Sequence, residues 1–456
     1  MSAVLPDARA VPAQPVAAAA RPADPLQAAL DAAIARYRAA NPTSERLQAE
    51  AAQVMPGGNT RSVLFWPPFP LYMAGGEGCR LRDVDGHVYL DALGEFTAGI
   101  YGHSDPRIRE ALERALRDGL NLSSHTAGEA ALAREIRARF PAIELLRFTN
   151  SGTEANLMAL SAAVAHTGRR KVLVFVGGYH GGVLSFGSGN APVNVPHEFL
   201  LARYNDLAGA RALALAHRDD IAAILVEPML GSAGCIPGTP AFLQGLRALA
   251  DECGALLVFD EVMTSRLSFG GRQALLGIQP DLVTMGKYFG GGMSIGVFGG
   301  RAEVIARFDP RRPDALGHAG TFNNNVLTMA AGLAGLQQVL TREALDALNA
   351  RGDALRGRLN AMFAAEGVGL QVEGLGSLMC LHATDRPLAS MADLAGLDPR
   401  IKELLFFDLL EQGIWMARRG FCALSLPFGQ AECDRTVEAF TTVVRARRAL
   451  LPGRSA

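Results

Sequence analysis

The sequence predicts an α/β protein organised on a mostly parallel sheet, with a smaller α+β unit attached to it. Two patterns predict this. From about Pro106 to residue 340, helical stretches alternate with short, continuously apolar runs. Unbroken apolarity marks strands covered on both faces, as in a parallel sheet flanked by helices. Beyond residue 340 the rhythm changes to long helices with short strands between them. The expected organisation is a tail over 1–25, an N-terminal segment over 26–104 that joins the small unit, a large unit over 105–340, and a C-terminal small unit over 341–456.

The elements follow in chain order. Residues 1–25 are rich in Ala and Pro and read as a disordered tail. They lack the basic start and continuous apolar stretch of a secretory signal. From Pro25 to Ala40, Leu26, Leu30, Ile34 and Tyr37 recur on one helical face, and Asn41-Pro42 ends the helix. Asp85-Gly86, between Cys79–Val84 and His87–Leu90, is a hairpin signal. The apolar runs Leu145–Thr149, Lys171–Val176, Ile221–Val226, Ala255–Phe259, Leu282–Met285 and Gly296–Phe298 are the predicted strands. Arg342–Glu366, Pro399–Glu411 and Gln430–Leu450 are the late helices.

Composition excludes several function classes. The net charge is −1 over 456 residues, so there is no electrostatic footprint for nucleic acid or an anionic membrane. No apolar run reaches the ~18–20 residues that span a bilayer. The six cysteines form no CxxC pair, and no metal-ligand spacing links them to the nine histidines. The expectation is a cytoplasmic protein with reduced thiols and no metal.

Four segments carry chemistry. In Thr149-Asn150-Ser151-Gly152-Thr153-Glu154 a strand runs into a helix start. Helix N-termini present unpaired N–H groups and a positive dipole end, which suit phosphate; the same residues also make plain caps. Gly177-Gly178-Tyr179-His180-Gly181 follows the next strand, where a glycine-flanked aromatic can lie flat on a planar ring. Leu256–Phe259 runs into the carboxylate of Asp260, whose burial demands a partner. That partner is a pyridinium nitrogen, a structural cation or a metal. Lys287 follows Leu282–Gly286 among glycines, and a desolvated lysine there becomes a nucleophile or base. Phosphate cradle, aromatic plate, acid and lysine at successive strand ends together describe a pyridoxal phosphate (PLP) site.

With these motifs the chain resembles the class III aminotransferases of fold-type I. The resemblance runs from about residue 45 to 450. It rests on Asn150–Ala155, Tyr179-His180-Gly181, Val226-Glu227-Pro228, Phe259–Val262, Gly286-Lys287 and Gly320-Thr321-Phe322. It implies a seven-stranded, mostly parallel sheet and a homodimer with shared active sites. Ser151, Gly152 and Thr153 would hold the phosphate, with Thr321 reaching in from the partner subunit. Tyr179 would stack on the ring, Glu227 would border the cofactor, Val262 would pack the opposite face, Asp260 would pair with the ring nitrogen, and Lys287 would join the aldehyde.

Two subgroups are close. Met55-Pro56-Gly57-Gly58 is similar to glutamate-1-semialdehyde 2,1-aminomutase. Asn59–Phe65, Phe96–Ser104, Gly320–Asn325 and Arg419-Gly420-Phe421 are more similar to aromatic β-amino acid aminotransferases. That second resemblance implies Arg61 and Arg419 as carboxylate binders, a task suited to the planar guanidinium fork. It implies Val63, Phe65, Phe96 and Met263 as pocket walls. The expected reaction moves an amine from a β-amino acid to a 2-oxo acid in two half-reactions; an aminomutase and a catalytically silent homologue are the alternatives. Two positions depart from the pattern: Leu230 stands where relatives often carry Gln, and Phe96 where they tend to carry Tyr.

Overall fold

A computed structural model describes residues 24–455. The tail expected over 1–25 therefore lies almost wholly outside the described residues. Helix Pro25–Ala40 starts where Asp24 Oδ1 accepts from the N–H groups of Leu26 and Gln27. It buries Leu30, Ala33 and Tyr37, and a second helix, Pro42–Ala51, follows directly.

Sixteen strands are present among the described residues. β1 (Met73–Glu77), β2 (Arg80–Asp83) and β3 (Val88–Asp91) form an antiparallel ladder that includes the expected hairpin. β4 (Leu145–Thr149), β5 (Lys171–Phe175), β6 (Glu198–Ala202) and β7 (Ile221–Val226) enter the main sheet. β8 (Met229–Leu230) and β9 (Ile236–Pro237) form a short pair, and β10 (Leu256–Asp260), β11 (Leu282–Gly286) and β12 (Gly296–Gly300) complete the main sheet. β13 (Gln371–Leu375), β14 (Leu378–His382) and β16 (Phe421–Ala423) make an antiparallel sheet, while β15 (Ile414–Trp415) joins β3 in parallel.

The main sheet has the order β4-β12-β11-β10-β7-β5-β6. Its neighbours are parallel except at β12, which runs antiparallel to both β11 and β4. The carboxyl ends of β4, β5, β7, β10 and β11 therefore share one edge, where open α/β sheets collect ligands. β6 is an addition to the six expected runs. Its Phe199–Leu201 are half-buried at the sheet's border, so the strand lacks the unbroken burial of the central ones. β7, β10, β11 and β12 are buried along their whole length. Helix Gly152–Thr167 covers one face with Ala155, Ala159, Leu160, Ala162 and Ala163. The last long helix ends at Arg447, and Arg448–Leu450 continues as a tighter turn.

Candidate active site

The edge shared by β4, β5, β10 and β11 brings the four chemical segments together. Ser151 caps helix Gly152–Thr167, its Oγ accepting from Glu154 N–H at 3.1 Å. The next N–H groups, of Gly152 and Thr153, have no acceptor within the helix, because the first turn has none to offer. A Cβ on Gly152 would lie 2.9 Å from Val262 Cγ2, and one on Gly181 would lie 2.2 Å from Thr153 Oγ1. The backbone at the helix start is thus closed in by Val262 and by the Tyr179 loop. A side chain added at Gly152 disturbs that cradle, and Gly152→Val is expected to weaken PLP affinity at least about tenfold, by equilibrium dialysis.

Asp260 ends β10 and is 4% exposed. Its Oδ2 accepts from Asn156 Nδ2 and pairs with His180 Nδ1, each at 2.8 Å, and its Oδ1 accepts from Val262 N–H at 3.0 Å. Asn156 is oriented in turn by Thr284 Oγ1, which donates to its Oδ1 at 2.7 Å. Three donors fix the carboxylate as an acceptor, the form that holds a proton on a ring nitrogen. The motifs assign no role to Asn156 or His180; the signal for them is that a buried carboxylate requires donors close by.

Glu227 is also buried and accepts from Tyr179 N–H at 2.9 Å and Gly231 N–H at 3.2 Å. Burial pushes its carboxyl up, His180 opposes and the Asp260 carboxylate reinforces the rise. Glu227 therefore braces the loop that carries Tyr179. The Tyr179 ring itself is 47% exposed, an aromatic face standing in the open cleft. Leu230 is a core residue at 1% exposure, against which a Cβ on Gly177 would press at 3.0 Å.

Lys287 follows β11 with a left-handed φ of 57°. Its Nζ donates to the Phe96 carbonyl at 2.5 Å. Burial pulls the ammonium down to about 8, against the pull of Asp260 and Glu227 and with help from Arg419 and Arg266. The chain has only three lysines, Lys171, Lys287 and Lys402. Lys171 pairs with Asp220, and Lys402 donates to the Arg419 carbonyl. That scarcity is a sequence signal for Lys287 that motif reading passed over. A depressed lysine is neutral, hence nucleophilic, at lower pH. Covalent capture of PLP by the apoenzyme is expected to quicken about tenfold per pH unit and level off near 8 rather than near the ordinary 10.5. Stopped-flow reconstitution across pH checks this.

Phe96 sits in an unusual turn. Gly94, Glu95, Phe96 and Thr97 all have positive φ (55°, 44°, 51° and 86°), a short left-handed coil. Such a run costs roughly 1–2 kcal/mol for each residue other than glycine. Hydrogen bonds from Ala98 N–H to Glu95 and from Gly99 N–H to Gly94 close it. The coil aims the Phe96 carbonyl at Lys287 and its ring between two arginines, with Arg419 Cζ at 5.1 Å and Arg61 Cζ at 5.7 Å from the centroid. The two cations differ. Arg61 is paired with Glu95, which motif reading missed. Arg419 makes no ion pair among the described residues, and its buried Nε has no hydrogen-bond partner there. It is held by the faces of Phe96 and Phe421, the latter at 5.5 Å.

Val63 and Phe65, 44% and 46% exposed, border the same cavity as Phe96 and Arg419. Met263 does not line this cavity; its sulfur lies 2.2 Å from where a Gly231 Cβ would be. Thr321 is exposed, on the segment that reaches Asn150 through Asn323. The residues present fit PLP: an anion-binding helix start walled by glycines, a fixed buried carboxylate, an open aromatic face and a reactive amine. No cluster of His, Cys, Asp or Glu among the described residues could hold a metal, and no helix there is long and apolar enough to cross a membrane.

Residues 66–444 match the family model of the class-III aminotransferases. The chain is 56% identical over 429 residues to a beta-phenylalanine transaminase of Variovorax paradoxus, covering 93% of this chain and 99% of that protein. A crystal structure of a beta-phenylalanine aminotransferase from Variovorax paradoxus superposes with a TM-score of 0.93 at 56% identity, covering 94% of this chain and all of the other. A glutamate-1-semialdehyde 2,1-aminomutase of Heliobacterium modesticaldum is 36% identical over 428 residues, 89% of this chain and 98% of the relative.

Proposed function

The chain belongs to the class III aminotransferases, which are PLP enzymes, and on that footing we propose that it moves the amine of an aromatic β-amino acid to a 2-oxo acid such as 2-oxoglutarate or pyruvate. One observation carries the choice of donor: the unpaired Arg419 guanidinium lies on the Phe96 ring, while the carbonyl of the same residue holds the Lys287 amine. A carboxylate seat is thus one residue's width from the reacting amine. The 56% identity to a beta-phenylalanine transaminase supports the same reading.

PLP, when bound, supplies an electron sink for the carbon that carries the amine. This chain's residues do the rest. Ser151, Gly152 and Thr153 would hold the phosphate, with Tyr179 and Val262 to flank the ring. Asp260, fixed by Asn156 and His180, keeps a proton on the ring nitrogen, and Glu227 steadies the Tyr179 loop. Lys287 would anchor the cofactor through Nζ and, once released, would act as the base for the proton on the donor's amine-bearing carbon. Arg419 seats the donor carboxylate, with Val63, Phe65, Phe96 and Met263 around its side chain. Arg61, paired with Glu95, leaves an aromatic ring undisturbed; the second carboxylate of a dicarboxylate acceptor would displace Glu95 to reach it. Donor and acceptor occupy the site in turn, which gives a two-stroke cycle. We place the enzyme in the cytoplasm as a homodimer, with Thr321 lent to the partner's phosphate site.

The test is a panel of α-, β- and ω-amines with and without 2-oxo acids. The expected result is acceptor-dependent turnover faster with the aromatic β-amino acids, 3-amino-3-phenylpropanoate among them, than with the α- and ω-amines. Rearrangement of glutamate-1-semialdehyde without an acceptor would instead identify an aminomutase. Arg419→Met is expected to raise KM for that donor by roughly 10- to 100-fold, the worth of one charge-assisted contact, in steady-state assays.

A further inference from the structure

A cavity of about 460 Å³ opens from the Phe96–Arg419 station and runs away from Lys287, between helix Pro42–Ala51 and the segment 58–73. That volume lies within the ~300–1,000 Å³ of pockets that enclose a drug-sized molecule. A single phenyl ring fills only the part beside Phe96. Beyond it the walls are Trp66, Leu71, Tyr72, Trp415, Met416 and Phe406. Trp66, Leu71, Met416 and Phe406 are buried and form its floor, while the exposed Val63 and Phe65 stand at its open side.

Three polar side chains of the cavity wall have partners. Tyr72 Oη donates to Gln48 Oε1 at 3.0 Å, and Gln48 Nε2 donates to the Gly57 carbonyl at 2.6 Å. Arg418 is paired with Glu403 at 2.7 Å. Arg419 alone among the charged lining residues lacks a partner among the described residues. The chamber therefore suits a molecule with one anionic end and a long apolar body. The aromatic walls favour flat rings, which gain edge-to-face contacts beyond simple burial.

We propose that the chamber takes the distal ring of an extended aromatic side chain, so that the preferred donors are β-amino acids bearing biaryl groups rather than a lone phenyl. The inference rests on the β-amino acid reading above and deepens it. The carboxylate stays on Arg419, the first ring lies beside Phe96, and the second ring enters between Trp66 and Trp415.

Both tryptophans of the chain line this chamber, so its occupancy has its own optical signal. The holoenzyme is assayed with 2-oxoglutarate and two donors, 3-amino-3-phenylpropanoate and 3-amino-3-(4-biphenylyl)propanoate. The biphenylyl donor is expected to match or exceed the phenyl donor in kcat/KM. Ala51→Trp, which fills the far end, is expected to cut kcat/KM for the biphenylyl donor at least about tenfold and to change that for the phenyl donor less than about twofold. Met55→Trp, at the turn that follows, serves the same end if the first variant does not fold. In the wild type, unreactive 3-(4-biphenylyl)propanoate is expected to quench tryptophan emission saturably, and 3-phenylpropanoate to leave it nearly unchanged. Rejection of the biphenylyl donor beside normal phenyl turnover overturns the proposal, as does an equal loss for both donors in the filled variants. Failure of the phenyl donor itself overturns the β-amino acid reading instead, and the quenching pair then decides the chamber alone.

Discussion

Lys287→Ala is expected to lose at least about 10⁴-fold in kcat, since one side chain is both covalent anchor and proton carrier. No other amine can take over. Of the two remaining lysines, Lys171 is engaged with Asp220 and His217, and Lys402 with the Arg419 carbonyl. The cradle at Ser151–Thr153 and the Asp260 carboxylate survive the substitution, so the variant still binds PLP, but without the covalent bond. It loses the cofactor on dialysis, where the wild type keeps it. Folding does not suffer, because the truncated side chain is a buried amine whose charged form is already disfavoured there. The checks are single-turnover kinetics with a β-amino acid, the cofactor absorption band before and after dialysis, and thermal unfolding. Multiple turnover within about tenfold of wild type would remove Lys287 from the mechanism.

Asp260→Asn carries the second-largest expected effect, a loss on the order of 10²–10³ in kcat, comparable to removing one preorganised electrostatic partner. The substitution preserves shape. It takes away the negative charge and leaves an amide NH2 facing a donor, either the His180–Asn156 pair or the Val262 N–H. A donor facing a donor costs about 1–3 kcal/mol of stability, and a lowered melting temperature reports it separately from the catalytic loss. KM for the amine is expected to change little, since Asp260 is remote from the carboxylate seat. A variant with wild-type kcat would show that the ring nitrogen needs no charge partner in this enzyme.

Much of the framework was legible because burial writes itself as continuous apolarity. β7, β10 and β11 are such runs, and each is wholly buried. Strand direction leaves no such mark. Gly296–Gly300 reads like its neighbours yet runs the other way, because what reverses it is the short connection from β11. β6 escaped notice for a related reason: it borders the sheet and follows an irregular stretch over 176–197, so its apolar residues are half-covered. In the site, residues that act through local segments were readable, including Ser151–Thr153, Tyr179, Asp260 and Lys287. Contacts between distant segments were not. The Arg61–Glu95 pair spans 34 residues of chain. The coil at Gly94–Thr97 has only Gly94 to announce it, and a Cβ there would lie 2.4 Å from the Ala423 carbonyl. Packing, rather than local propensity, holds Glu95, Phe96 and Thr97 in their left-handed state.

The pairing of β3 with β15 places the loops after two strands side by side, although Leu90 and Ile414 are far apart in the chain. One loop leads to Phe96 and the other to Arg419. The residues proposed to hold the cofactor, Thr321 apart, lie between Ser151 and Lys287, on a different part of the polypeptide. Chemistry and most of the donor seat are thus carried on separate stretches of the chain, Met263 being the exception. On the proposed reading, mutation in two short loops, each more than a hundred residues from the lysine in the chain, would retune which molecules are used without disturbing how the amine is moved.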